Sequence, residues 1–476
     1  MAKNILIFSD GTGQAGGISV DENRSNIYKL YRATRVGPDS SINPTEQIAY
    51  YDAGLGAKPP SGGTFSTIYR FFHNLISQAT GFGLTTNIID CYEMIVRYWE
   101  PGDRIYLFGF SRGAYTVRCL GGVLALCGIP RSEKGKPIKR DSGTARRLAK
   151  RAVKRVYQHT TSKNYNQSNE RERELLDQRK ELADRFREAY ESDPNDKSTY
   201  PYFIGVFDTV AALAMPGSQF LVKALAIAAL LLASLGLSLW PGILSFWGWL
   251  WRLTIMGLLA AGAAYLVTHI KWEIGLKRKS KWRLFHLTEA KAKFRDFSLH
   301  NNVMYAKHAI SIDENRADFE RVGWGEKGAD RPDEDSKGNK TFEQIWFAGN
   351  HSDIGGSYPE NESRLSDVAL KWMLDAAANA EHPIIINSSV IQLYPAANGI
   401  QHDECKRGIQ YLTSLTGWTW KKRARKLPVA NASLHPSVYD RFAFPGILQY
   451  DTVEAYRPST LKEHVDFKDH ADYQKK

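Results

Sequence analysis

Short apolar runs alternate with longer amphipathic stretches through the first part of the chain. Asn4–Ser9 (NILIFS), Gln47–Tyr51 (QIAYY), Arg104–Phe110 (RIYLFGF) and Tyr202–Phe207 (YFIGVF) are almost uninterrupted by polar side chains, and each ends in small or acidic residues. Runs of this kind predict strands buried on both faces. Thr85–Trp99 (TTNIIDCYEMIVRYW) instead has helical spacing, with Thr85 or Thr86 as cap. The alternation resumes with a strand over Gln344–Ala348 (QIWFA) and a helix over Ser366–Ala378, while Val303–Ile312 reads as helix-like. Strands alternating with helices predict an α/β fold with a mostly parallel sheet covered by helices on both faces.

One region breaks the pattern. Ala224–Trp240 carries no charge over 17 residues, and Leu253–Ile270 has no Lys, Arg, Asp or Glu over 18. About 20 helical residues cross the hydrocarbon of a bilayer. The two runs therefore predict a transmembrane helical hairpin over 219–270, in preference to a buried helical pair. Trp240, Trp247, Trp249 and Trp251 near the Pro241-Gly242 turn, and Trp272 at the other end, match interfacial aromatic belts. A hairpin returns the chain to the side it left. The basic residues Lys271, Lys277, Arg278, Lys279, Lys281 and Arg283 place both flanks on the cytoplasmic side and offer a contact for anionic headgroups over 271–283. Met1-Ala2-Lys3-Asn4 runs directly into a strand without a signal-peptide pattern. The expectation is a bacterial inner-membrane protein with its globular part in the cytoplasm. The alternative is a secreted effector acting at a target-cell membrane.

Composition narrows the class. The chain has 476 residues, 43% hydrophobic and 24% charged, with a net charge of +12, which excludes a mostly disordered, collagen-like or disulfide-stapled protein. Cys91, Cys119, Cys127 and Cys405 are scattered and form no C-x-x-C pair, so zinc held by cysteines is not expected. Much of the positive charge is local: between Arg131 and Arg155, eleven Lys/Arg face only Glu133 and Asp141. The stretch to Ser198 reads as an exposed, charged helical insertion. No nucleic-acid module accompanies these clusters, so nucleic acid is not an expected partner.

The candidate chemistry lies at strand ends. Gly109-Phe110-Ser111-Arg112-Gly113 is a G-x-S-x-G between a predicted strand and an apolar helix-prone stretch, Ala114–Ile129. That context is the one a nucleophile elbow requires, with Gly109 and Gly113 permitting the sharp turn and Ser111 as nucleophile. An acid and a base should follow in chain order. Asp208 ends the strand YFIGVF, and His351 follows QIWFAGN in a glycine-bounded loop. His308 and His435 are competing histidines, the former more consistent with a packed or capping role. Asp353 and Asp10 are competing carboxylates, although a residue two positions from His351 is poorly placed to reach its Nδ1. The backbone N–H of Arg112 would supply one oxyanion donor, and the loop after strand one, through Gly11 or Thr12, a second. Gly11-x-Gly13-x-x-Gly16 also matches a dinucleotide fingerprint. A polar run, Ile18–Asn23, stands where the helix should begin, and no acid follows at a second strand end.

Five stretches occur in order: Ser9–Gly13 (SDGTG), Tyr51–Gly56 (YDAGLG), Gly109–Tyr115 (GFSRGAY), Phe207–Val210 (FDTV) and Trp346–Gly356 (WFAGNHSDIGG). Together they resemble the α/β-hydrolase-like family named for type VI secretion phospholipase effectors, over most of residues 3–375. Ala306–Arg316, read as a helix, and Leu434–Val438 are similar to further family stretches. The resemblance implies an α/β-hydrolase fold, a Ser111–Asp208–His351 triad and esterase activity on phospholipids, with no metal or organic cofactor required.

These readings divide the chain into a first half of the core (1–130), the charged insertion (131–198), a core strand bearing the acid (199–218), the hairpin (219–270), a basic juxtamembrane segment (271–295), a second half of the core with the histidine (296–380) and a C-terminal region without an assigned fold (381–476). Phe220 lies 12 residues beyond Asp208, within at most about 40 Å of extended chain, so the catalytic edge should lie near the bilayer. The expected activity is a membrane-associated serine hydrolase cleaving lipid esters, phospholipids foremost, through an acyl-enzyme. The rival is a catalytically silent, membrane-anchored binding or regulatory protein on the same fold.

Overall fold

In the computed structural model, residues 2–11, 23–54, 82–160, 168–210, 257, 270–272, 285–287, 299–317, 319–325, 331–407 and 421–474 are described. Six strands form one sheet: β1 (Asn4–Ser9), β2 (Gln47–Asp52), β3 (Arg104–Phe110), β4 (Pro201–Phe207), β5 (Tyr305–Ser311) and β6 (Phe342–Phe347). Their spatial order is β6-β5-β4-β3-β1-β2, and every neighbouring pair is parallel. The α/β reading with a mostly parallel sheet is therefore correct.

Alternation along the strands builds two cores. Ile5, Ile7, Ile105 and Leu107 point to one face, where they pack with α2 (Phe82–Tyr98) and α3 (Arg112–Cys127). Leu6, Phe8, Tyr106 and Phe108 point to the other, against α1 (Asn26–Thr34) and the later helix Arg364–Asn379. Successive side chains on a strand face opposite ways, so a continuous apolar run serves two layers at once.

The stretch 131–198 differs from its expectation. It carries α4 (Ser142–Arg151), continued by a π-helical turn over Ala152–Tyr157, and α5 (Glu170–Ala189). Ala145, Leu148, Ala149, Val153, Val156, Phe186 and Tyr190 join the same core as the sheet. The charges form the outward face of amphipathic helices whose inner face is structural. Tyr305–Ser311 is also a strand rather than a helix, with all seven residues buried. Its edges pair with β4 and β6 and its faces are covered by the layers on both sides of the sheet, and this packing overrides the weak local signal of YAKHAIS.

The transmembrane hairpin requires correction. Among the described residues, no helix is long and apolar enough to cross a membrane. Ile270, expected to close the second span, is instead in a three-residue strand, Ile270–Trp272, paired antiparallel with Phe285–Leu287. Apart from Gly257 and Ile270, residues 219–270 lie outside the described residues. The spans rested on uncharged length and flanking tryptophans alone.

The C-terminal region is built into the fold. Ala432, Val438, Phe442, Ile447, Tyr456, Leu461 and Phe467 form a third core with Ile310, Ile312 and Trp346 from the ends of β5 and β6. The Trp346 N–H donates to Ser433 O at 2.9 Å, and the His435 N–H to Trp346 O at 2.9 Å, which docks this region on the free edge of β6.

Candidate active site

Because all six strands run the same way, their carboxyl ends share one edge. The register pairs Ser9 with Gly109 and Asp52, Phe110 with Phe207, and Ser311 with Phe347. Asp10, Ser111, Asp208 and His351 thus all emerge just past the same edge. Chain order reverses between β1 and β3, and the crevice outside such a switch point is where open α/β sheets bind ligands.

Ser111 sits at the junction of β3 and α3 with φ 57° and ψ −120°, a left-handed backbone for a residue with a Cβ. Its N–H donates to Phe207 O at 3.1 Å. The turn depends on its glycines. A Cβ on Gly109 would lie 2.5 Å from Gly113 O, and one on Gly113 only 2.0 Å from Ser9 O. Arg112 opens α3, so its N–H is among those with no intrahelical acceptor.

Asp208 also has a positive φ, 39°, and is fully buried. His351 Nδ1 lies 2.6 Å from its Oδ2, joining residues 143 apart in sequence. Arg425 grips the same carboxylate with both guanidinium nitrogens: Nη1 to Oδ1 at 2.6 Å and Nη2 to Oδ2 at 3.0 Å. The Ser311 N–H donates to Oδ1 at 3.0 Å. Burial pushes this carboxyl up, but the Arg425 guanidinium and then the His351 hydrogen bond outweigh it, holding Asp208 well below the usual carboxylate range. An ionised Asp208 requires the shared proton on His351 Nδ1, which leaves Nε2 as the acceptor nitrogen.

His351 begins a short helix, α6 (His351–Gly355), capped by Asn350, whose side chain accepts from the N–H groups of Ser352 and Asp353. The His351 N–H donates to Glu314 Oε2 at 3.3 Å, and Arg316 holds Glu314 through Nε and Nη2, each at 2.8 Å. The imidazole packs against Phe110, with ring centroids 4.7 Å apart, and against Phe319 at 5.3 Å. The residue before Ser111 therefore touches His351 directly.

The competing residues have other duties. His308 is buried and accepts from the Thr209 N–H at 3.2 Å, and burial pushes its pKa well down. His435 caps the helix Pro436–Ala443 and stacks on Phe347. Asp353 binds His402 Nδ1 at 2.7 Å. Asp10 accepts from the Gly11 N–H at 2.7 Å and from Ser25 Oγ and Tyr51 Oη, each at 2.5 Å. The Gly11 donor is thereby committed to Asp10, while Thr12 lies outside the described residues. Sequence reading missed Arg425, Glu314 and Arg316. Nothing local marks Arg425 among five basic residues in Lys421–Lys426 (KKRARK); its role arises from a contact 217 residues away.

Comparison with known proteins identifies the family. The model described as "T6SS, Phospholipase effector Tle1-like, catalytic domain" matches residues 3–376. The chain belongs to this family. The resemblance read from the ordered motifs is thus correct. Among relatives, an uncharacterized protein of Saccharomyces cerevisiae is 37% identical over 134 residues, covering 27% of this chain and 18% of its own length. A crystal structure of an uncharacterized protein from Pseudomonas aeruginosa is 16% identical with a TM-score of 0.32, covering 82% of this chain and 47% of that one. The Tle1 effector bound to the VgrG spike of the type 6 secretion system is 16% identical with a TM-score of 0.27, covering 77% and 53%. The chain thus spans less than a fifth of the yeast relative and about half of each solved protein. Arg425 and His402 lie beyond the Tle1-like match, yet Arg425 binds Asp208 and His402 binds Asp353 in the helix that begins at His351.

Proposed function

We propose that this protein is a serine hydrolase cleaving carboxylic esters of phospholipids through an acyl-enzyme. The observation that carries this reading is the 2.6 Å bond between His351 Nδ1 and a buried, ionised Asp208, beside a serine held in a left-handed elbow at the same sheet edge. Ser111 Oγ attacks the ester carbonyl and gives its proton to His351 Nε2. Asp208 fixes the tautomer and stabilises the imidazolium. The Arg112 N–H faces the developing oxyanion; losing one such donor costs about 10²–10³ in turnover. His351 then protonates the leaving alcohol, and water releases the fatty acid by the same route in reverse. The family's effectors favour delivery to a target-cell membrane over anchoring in the producer's own inner membrane.

Fluorophosphonate labelling, with fatty-acid release from mixed-phospholipid vesicles, tests the reading in wild type and Ser111→Ala. Both signals should vanish in the variant. Unchanged release from folded Ser111→Ala would overturn the mechanism, and labelling without release in wild type would move the substrate away from phospholipid.

A further inference from the structure

The basic run Lys421–Lys426 is divided by side. Arg425 turns inward to Asp208, and its backbone oxygen accepts from Thr460 Oγ1 at 3.1 Å. Lys421, Lys422, Arg423 and Lys426 are exposed. The segment is held as a strap along residues 315–317, with the Ala317 N–H donating to Lys421 O and the Arg423 N–H to Asn315 O, each at 2.8 Å. These cations therefore flank Arg425, whose guanidinium holds Asp208.

Their pairing is incomplete. Lys422 reaches Asp403 at 3.3 Å, and Arg423 donates to the Ala317 carbonyl. Lys421 and Lys426 have no carboxylate partner among the described residues. Val429 is 55% exposed just beyond them, placing an apolar side chain next to the charges. A row of solvated cations beside an apolar side chain suits the headgroup layer of an anionic membrane, where each lysine or arginine contributes about a fivefold gain in binding.

We propose that the strap Lys421–Lys426 docks this protein on an anionic lipid bilayer and holds the catalytic edge of the sheet against it. The strap carries cations outward and the aspartate clamp inward, so docking and site geometry share one segment. The proposal deepens the phospholipase reading and rests on it for the purpose of docking, while the binding itself is separately measurable.

Full-length wild type and Lys421→Gln/Lys426→Gln would be compared by flotation with vesicles of phosphatidylcholine alone and with about 30% phosphatidylglycerol, at low and high salt. Melting temperature would confirm the variant's fold. Wild type should bind the anionic vesicles, release them at high salt and bind neutral vesicles at least tenfold less. The double variant should bind the anionic vesicles about thirtyfold more weakly. Equal wild-type binding to both vesicles, or variant binding equal to wild type, would overturn the docking role. Fluorophosphonate labelling of wild type without vesicles keeps the two readings apart. Labelling without anionic binding would sink the strap alone, whereas anionic binding lost in the variant, with no labelling in wild type, would support the strap and sink the hydrolase.

Discussion

Two buried histidine–carboxylate pairs lie in one loop system, and they differ in what surrounds them. His351 bonds Asp208 at 2.6 Å and His402 bonds Asp353 at 2.7 Å, both through Nδ1. His402 also contacts Glu362 through Nε2 at 3.1 Å and stacks on Tyr358 with centroids 3.6 Å apart. Its second nitrogen is occupied. Among the described residues nothing hydrogen-bonds His351 Nε2, and its aspartate carries a bidentate arginine that Asp353 lacks. A histidine–aspartate pair is thus not in itself a triad. The distinguishing features are a second nitrogen without a hydrogen bond among the described residues, at the sheet edge that carries Ser111, and a carboxylate held low by an arginine.

The sharpest test of that distinction exchanges each histidine for glutamine. His351→Gln should lower turnover on the order of 10⁶-fold, as removal of a triad base does. His402→Gln should lower it less than about tenfold, since its partners are Asp353, Glu362 and Tyr358 rather than Asp208. Steady-state ester hydrolysis measures both. Comparable losses would mean that the His402 pair belongs to the chemistry and that the comparison is wrong.

A smaller effect is expected at the arginine. Arg425→Met removes the fork that fixes Asp208 and should reduce kcat/KM on the order of 10²-fold, the scale of a misplaced catalytic group. Arg425→Lys should recover only part, because a point charge cannot hold both oxygens. Charge also gives a readout that packing alone would not. The charged groups facing Asp208 are Arg425, Arg321 and its partner His351. Removing the cation that holds Asp208 low lets its carboxyl take up a proton at higher pH, so the acid limb of the pH–rate profile should move to higher pH in Arg425→Met. An unmoved limb would reduce Arg425 to a structural tie.

These differences explain what could be read from the chain. The strands and the turn after β3 are legible because they are local: NILIFS and RIYLFGF announce doubly buried strands, and GFSRGAY announces a turn that only glycine permits at its ends. YAKHAIS was misread because its strand state comes from neighbours on both sides, not from its own pattern. The charged helices of 131–198 concealed an inner face whose small apolar residues, such as Ala145, Ala149 and Ala152, make little impression beside so many arginines. Arg425 and His402 are further from local legibility, since each acquires its role only when the C-terminal region closes over the ends of β5 and β6. The uncharged runs 224–240 and 253–270 mislead for the opposite reason: apolar length and flanking tryptophans are read as a complete structure.

The smallest predicted effect concerns stability rather than rate. Burial lowers the pKa of His402, but its bond to Asp353 and then the Glu362 carboxylate outweigh burial and leave it raised. For a histidine raised on folding, the stabilisation is fully present below the unfolded value near 6.5 and is lost as pH rises through the folded value. His402→Gln should therefore melt roughly 1–3 °C below wild type under mildly acidic conditions, and the gap should close as pH increases. Thermal melts of both proteins across that range measure it directly. A gap that stays constant would mean that His402 remains neutral between its two carboxylates. A gap that widens with pH would reverse the sign and remove the contrast between an imidazolium that braces the loop and a neutral imidazole that works at its end.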